Sequence, residues 1–213
     1  MKPEIQPAAD RVYVVDDDAS VRQALSRLLL SAGITCELFA SADAFLAHER
    51  APSIRSACLI LDVQMPGLNG MELQEALGGT EGGMPIIFIT GHGNIPMSVR
   101  AMKKGAVDFL MKPFDVQELL TAIDVALKKD RQAREHHAKR AEIRQRVELL
   151  TDRERDVMRL VITGKLNKQI ATELNIEEAT VKAHRGRVMQ KMGVPSVAEL
   201  VKLNAEIEAG EVR

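Results

Sequence analysis

Apolar residues follow two different rhythms along this chain. Up to about residue 110, short apolar runs alternate with segments whose apolar residues recur at every third or fourth position. Residues 12–15, 35–39, 58–62, 85–90 and 107–110 are the runs, and runs of that length predict strands, the most apolar ones buried on both faces of a parallel sheet. Between them, Val21, Ala24, Leu25, Leu28 and Leu29 predict a helix over 19–32 that Gly33 closes. Ser41 is placed to cap a second helix through Phe45 and Leu46. Residues 71–77 and 95–104 predict two more, the last stopped by Gly105, with a flexible glycine-rich loop over 78–83. Strands alternating with helices of this length imply βαβ units and right-handed crossovers. The expected fold class is α/β, a doubly wound five-stranded parallel sheet.

The second rhythm is helical throughout. Residues 114–163 contain neither glycine nor proline, and Val116, Leu119, Leu120, Ile123 and Leu127 form a stripe expected to cover the sheet. From Lys128 the composition turns charged, and heptads fail because Asp130, Arg134, His137 and Arg144 fall into the seam. A solvated helical linker over 128–146 is the expectation. His136 and His137 are adjacent, so they face different sides of a helix and read as surface residues. Thr151 and Glu154 then have capping-box spacing, ahead of Val157, Leu160 and Val161. Gly164 ends that helix. Helices follow over 167–174, 178–192 and 196–208, the first two joined by the short Asn175-Ile176 turn. An all-α four-helix domain over 147–208 with a helix-turn-helix is predicted.

Composition narrows the function only a little. The 213 residues suffice for two modest domains, and 46 % hydrophobic content is ordinary for a globular chain. A formal net charge of −1 argues against a globally basic nucleic-acid binder, though not against a local basic face. Cys36 and Cys58 have no metal spacing and fall in strands that are not expected to be neighbours, which suggests reduced thiols of a cytoplasmic protein. Residues 1–10 read as a polar tail without the apolar core of a signal peptide, and no run is long enough to span a bilayer.

The chemistry gathers at strand ends. Asp16, Asp17 and Asp18 follow the first strand, Asp62 ends the third, Thr90 ends the fourth and Lys112 follows the fifth. In a sheet ordered 2-1-3-4-5, an order taken from known sheets of this class, these ends lie along one edge. Clustered carboxylates need a cation, and an all-oxygen set suits Mg²⁺. A hydroxyl and an ammonium opposite would suit phosphoryl oxygens. Each residue has a plainer reading: the acids could favour a helix dipole, Thr90 a turn, Lys112 solvent. Their joint occurrence argues against that. Asp18 alone reads as a helix-start residue.

Residues 11–127 resemble, motif by motif, the flavodoxin-like receiver domain of two-component response regulators, and 89–97 resemble the FixJ-type branch in particular. The resemblance implies Asp62 as phosphoacceptor, supplied by a cognate histidine kinase, and Thr90 and Lys112 as its catalytic partners. It implies Mg²⁺ on Asp16, Asp17, Asp62 and the Gln64 carbonyl, Asp16 acting mainly through water. Thr90 and Phe109 take the switch positions, and Gln64 and His92 flank the path of hydrolytic water. Apart from its own phosphotransfer and slow autodephosphorylation, no enzyme activity is expected.

Residues 147–208 resemble a LuxR-type DNA-binding domain through Asn167-Lys168-Gln169-Ile170-Ala171 and Thr180-Val181-Lys182-Ala183-His184. The resemblance implies duplex contacts by Asn167, Lys168, Thr180, Lys182, Ala183, Arg185, Gly186 and Arg187. Glu177 stands where the family usually has serine, so the recognition helix loses its best N-cap. Gly186 costs that helix about 1 kcal/mol relative to alanine. The expectation is a phosphorylation-dependent transcriptional regulator. It would dimerise when phosphorylated, with RNA polymerase as a further candidate partner and no membrane association. A fragment from residue 147 would still recognise one half-site. The alternative is a phosphate sink whose helical domain binds protein and not DNA. A metabolic enzyme has no second acid–base constellation to support it.

Overall fold

The computed structural model describes residues 10–48, 56–78, 83–91 and 95–208. The chain divides into two compact units, Met1–Arg134 and Glu135–Arg213. Within the first, β1 (Arg11–Val15), α1 (Ala19–Ser31), β2 (Thr35–Phe39), α2 (Ala42–Leu46) and β3 (Ala57–Asp62) are followed by α3 (Gly70–Ala76), β4 (Ile86–Thr90), α4 (Ile95–Lys103) and β5 (Asp108–Met111). All strand pairs are parallel and the order is β2-β1-β3-β4-β5, as expected. Val12 pairs with Cys36 on one side and Cys58 on the other, so the two free thiols are kept a strand apart. Burial pushes the Cys58 thiol far above its usual range.

Strand side chains alternate between two cores. Val12, Val14, Ile60, Ile87 and Ile89 pack on α1 and on α5 (Val116–Glu148) through Leu25, Leu29, Leu119 and Ile123. Tyr13, Leu59, Leu61 and Phe88 face the other way, against Phe45, Leu73 and Ala101. Each fully buried large side chain contributes about 1.5–3 kcal/mol. Tyr13 sits among rings, with the Phe45 and Phe39 centroids 5.5 and 6.1 Å away.

Two expectations for α5 need correcting. Val116 is 49 % exposed, because the first turn projects before the helix reaches the sheet; Ala122 and Ala126 complete the buried stripe instead. The charged stretch is also less solvated than its composition suggested. Asp130 is buried, its Oδ2 accepting from the Ala57 N–H at 2.7 Å and from Arg134 Nε at 2.5 Å. It satisfies the backbone where β3 begins. Ile143 is 3 % exposed and belongs to the core of the second unit.

That second unit contains α6 (Asp152–Ile162), α7 (Asn167–Leu174), α8 (Glu178–Met192) and α9 (Val197–Glu208). Val157, Val161, Ile170, Val181, Val188, Met192 and Leu200 form its centre. The capping box at its start is present in both halves: Thr151 Oγ1 accepts from the Glu154 N–H at 3.3 Å and Glu154 Oε2 from the Thr151 N–H at 2.9 Å. Glu154, 2 % exposed, also accepts from Lys191 Nζ at 2.6 Å. The Lys191 bond first, and the Thr151 N–H second, hold its carboxyl down at about 2. Asn175 takes a left-handed conformation (φ 51°) between α7 and α8, making the tight turn of a helix-turn-helix.

Candidate functional site

The carboxyl ends of β1, β3, β4 and β5 deliver the expected residues to one edge of the sheet. Asp16 follows β1, Asp62 and Thr90 end β3 and β4, and Lys112 follows β5, its N–H bonded to the Thr90 carbonyl at 2.8 Å. Asp16 is fully buried; its Oδ1 accepts from the Asp18 N–H at 2.8 Å and its Oδ2 from Lys112 Nζ at 2.6 Å. The same ammonium stands 3.6 Å from Asp62 Oδ2. Asp62 Oδ1 is buried without a hydrogen-bond partner. Burial pushes the Asp62 carboxyl up and Asp16 adds to the rise, against the pull of Lys112 and the Gln64 and Val63 N–H groups. An incompletely satisfied buried carboxylate is the mark of a site awaiting a partner.

Asp17 is exposed, yet Asp16, Asp17 and Asp62 each offer an oxygen, and these oxygens lie within 4.8 Å of one another. Three hard oxygen donors, together with the unpartnered buried Oδ1 of Asp62, fit a small divalent cation. Asp18 stands apart, as expected. It caps α1, accepting from the Ser20 and Val21 N–H groups, and the Ser20 bond leads in lowering its carboxyl. Gln64 is exposed beside the site, and Phe109 is half-buried with its ring 6.1 Å from that of Phe88. His92 lies outside the described residues.

Three features of this edge escaped the sequence reading. Arg22 of α1 donates to the Asp16 carbonyl at 2.6 Å, bracing the acid loop. Asn69 and Glu72 form a capping box that starts α3, and their N-x-x-E spacing was there to be read. Gly70 carried no such signal. A Cβ on it would fall 2.3 Å from the Asp62 carbonyl oxygen, so only glycine lets α3 begin against the tip of β3.

The DNA-facing residues expected on α8 fall, apart from Arg185, on its exposed face. Thr180, Lys182, Ala183, Gly186 and Arg187 are exposed on α8, opposite buried Val181 and Val188, and Lys168 is exposed on α7. A Cβ at Gly186 would meet nothing within 4 Å. Asn167 and Arg185 are brought together instead, Arg185 Nη1 donating to Asn167 Oδ1 at 2.9 Å. Glu177 makes no capping bond, as anticipated, and Leu166 makes none at α7, where Gln169 Oε1 accepts the Leu166 N–H.

Parallel sheet, acid edge and helix-turn-helix together define a signal-receiving regulator of DNA. Residues 12–124 match the response regulator receiver domain, and residues 148–204 match the bacterial regulatory proteins of the luxR family. Nodulation protein W of Bradyrhizobium diazoefficiens is 49 % identical over 193 residues, covering 91 % of this chain and 84 % of the relative. The transcriptional regulatory protein FixJ of the same organism is 43 % identical, covering 90 % and 93 %. The solved structure of response regulator StyR superposes with a TM-score of 0.81 at 48 % identity, covering 93 % of this chain and all of that one. The chain belongs to the two-component response regulators that join a receiver to a LuxR-type DNA-binding domain, and it is a DNA-binding transcriptional regulator. No helix among the described residues is long and apolar enough to cross a membrane.

Proposed function

We propose that phosphorylation of Asp62 by a histidine kinase controls DNA binding by this protein. The observation that carries the reading is the Asp62 carboxylate itself, its Oδ1 buried without a partner and its Oδ2 3.6 Å from Lys112 Nζ. A carboxylate oxygen of Asp62 attacks the phosphorus of a phosphohistidine. The P–O bond forms as the P–N bond breaks, and the imidazole leaves, taking up a proton from water. Asp16, Asp17, Asp62 and the Gln64 carbonyl would hold Mg²⁺, which when bound neutralises the acid cluster and the charge on the transferring phosphoryl oxygens.

The new phosphoryl group brings about two negative charges and several acceptor oxygens. Lys112 pairs with one oxygen, loosening its hold on Asp16, and the Thr90 hydroxyl donates to another. Phe109 turns into the space that Thr90 leaves, which alters the surface of α4 and β5. Ile95 (80 % exposed), Val99, Met102 and Met111 leave that surface apolar, and a second copy of the receiver would cover it. A dimer holds two reading helices about one DNA turn apart. Moving the equilibrium from mostly off to mostly on requires about 5 kcal/mol, which a few charge-assisted bonds and the dimer contact can supply. The protein works in the cytoplasm, where its kinase and promoter are both met, and RNA polymerase is the further partner.

The test is to sequence the duplexes the full chain retains from a random pool, with and without a small-molecule phosphodonor. One preferred sequence, retained more strongly after phosphorylation and weakened by salt, is the expected result. Equal retention with and without the phosphodonor would overturn control by phosphorylation.

A further inference from the structure

The C-terminal end of α8 is gripped by the segment that closes α5. Arg146 Nη1 donates to the Met192 carbonyl at 2.8 Å while its Nη2 donates to Glu142 at 2.7 Å. Lys191 Nζ reaches the Leu149 carbonyl at 3.0 Å and Glu154 at 2.6 Å. A helix end leaves its last carbonyls without partners. Here the Val194 N–H takes Met189 and the Gly193 N–H takes Gln190, and Arg146 satisfies Met192. A cation at this end is also favoured by the helix dipole. Gly193 makes the seat possible: it has φ +67°, and a Cβ there would stand 3.0 Å from Arg146 Nη1 and 3.6 Å from its Cζ. Ile143 and Leu150, on either side of Arg146, are both buried in the same core as Val181, Val188 and Met192.

We infer that Arg146 is a positioning residue for DNA recognition: from the last turn of α5 it fixes the end of α8 and so the angle at which Lys182, Ala183, Gly186 and Arg187 enter the groove. The inference rests on α8 being the reading helix. Arg146 acts through the backbone of Met192, five residues beyond Arg187 and ten beyond Lys182, the two ends of the exposed reading stretch. A small pivot at the C-terminal end therefore displaces every base contact together. Phosphate contacts carry no sequence information, so binding to a scrambled duplex registers that displacement less than binding to the preferred half-site.

The full chain serves for the test, with Arg146→Met, which keeps the side chain's apolar stem and removes its donors, and with Arg146→Lys. Affinity is measured for the preferred half-site and for a scrambled duplex at a temperature where every variant is folded, and the Gly193 amide is followed by NMR. Arg146→Met is expected to lose about tenfold in half-site affinity. Scrambled-duplex affinity should change less than about twofold. The Gly193 amide resonance should move, and Arg146→Lys should recover most of the loss by donating to the same carbonyl. Equal half-site affinity in wild type and Arg146→Met would overturn the inference, and so would a parallel loss on both duplexes, which would make Arg146 a phosphate contact. Should Arg146→Met not fold, Arg146→Lys alone decides: an unshifted Gly193 amide with weakened half-site binding would overturn it. A wild-type chain without sequence preference would overturn the reading role of α8 itself, a failure visible before any variant is compared.

Discussion

Asp62 and Glu154 are both carboxylates almost shut away from water, one in each unit of the chain, and their surroundings treat them in opposite ways. Glu154 accepts from the Thr151 N–H and from Lys191, and its carboxyl is pulled down to about 2. Asp62 keeps one oxygen without a partner, shares Lys112 with Asp16, and has its carboxyl pushed up. A satisfied buried charge fixes an architecture. One left short of partners holds acceptor capacity for a group that has yet to arrive.

The sharpest way to break this comparison is Asp62→Asn. It should abolish phosphate uptake from a small-molecule donor, read as intact mass, and raise the receiver's melting midpoint in metal-free buffer. Wild-type uptake would place the acceptor elsewhere. A large effect on the other unit comes from where the chain is cut. A fragment of residues 147–213 loses buried Ile143 and the Arg146 bond, so it should be about 3 kcal/mol less stable in urea than residues 135–213. The sequence alone suggested that 147 was a sufficient start. Equal stability would remove the last turns of α5 from the reader's core. Glu154→Gln should lower the same unit's stability by about 2 kcal/mol while phosphate uptake on Asp62 stays at the wild-type rate.

Acid should separate the two carboxylates further. Glu154 has a folded value of about 2 against 4.5 when free, so its contribution is complete above pH 4.5 and drains away as pH falls toward 2. Asp62 has the opposite sign, because its folded value lies above 3.8. Its ionisation weighs on the folded receiver at neutral pH, and acidification through that raised value relieves it. Urea midpoints taken between pH 6 and 3 should therefore fall more steeply for residues 135–213 than for the same fragment with Glu154→Gln. Coincident curves would deny the ion pair its role. The smallest effects are expected on DNA. Lys168→Ala should weaken all duplexes alike by a few-fold, and Lys182→Ala should change the preferred sequence, as a selection from random duplexes would reveal.

The strands and the helices of the reader were open to inspection in the sequence because each is a local pattern, whereas the sheet order had to come from known sheets of its class. Runs such as residues 58–62, the stop at Gly33 and the Thr151–Glu154 spacing need only a few neighbours to be understood. The receiver's acid edge was legible for a related reason, since each member stands where an apolar run ends. Features made between distant segments were not. Nothing near Asp130 announces that it will bond the Ala57 N–H, 73 positions away. Gly70 reads as one more glycine until the carbonyl of Asp62 is seen against its hydrogen. Charged composition made residues 128–146 look wholly solvated, and the two buried exceptions, Asp130 and Ile143, were hidden by the average.

Tyr13, set among Phe39 and Phe45, has a practical consequence of another kind. The chain has one tyrosine, five phenylalanines and no tryptophan, and none of these rings lies beyond Phe114. Near-ultraviolet dichroism and tyrosine emission from the intact protein therefore come from the receiver alone, while the helices that handle DNA are silent there. Far-ultraviolet dichroism sees both. Melting the uncut chain at the two wavelengths would time the loss of one half against the other, with no dye, tag or cut introduced.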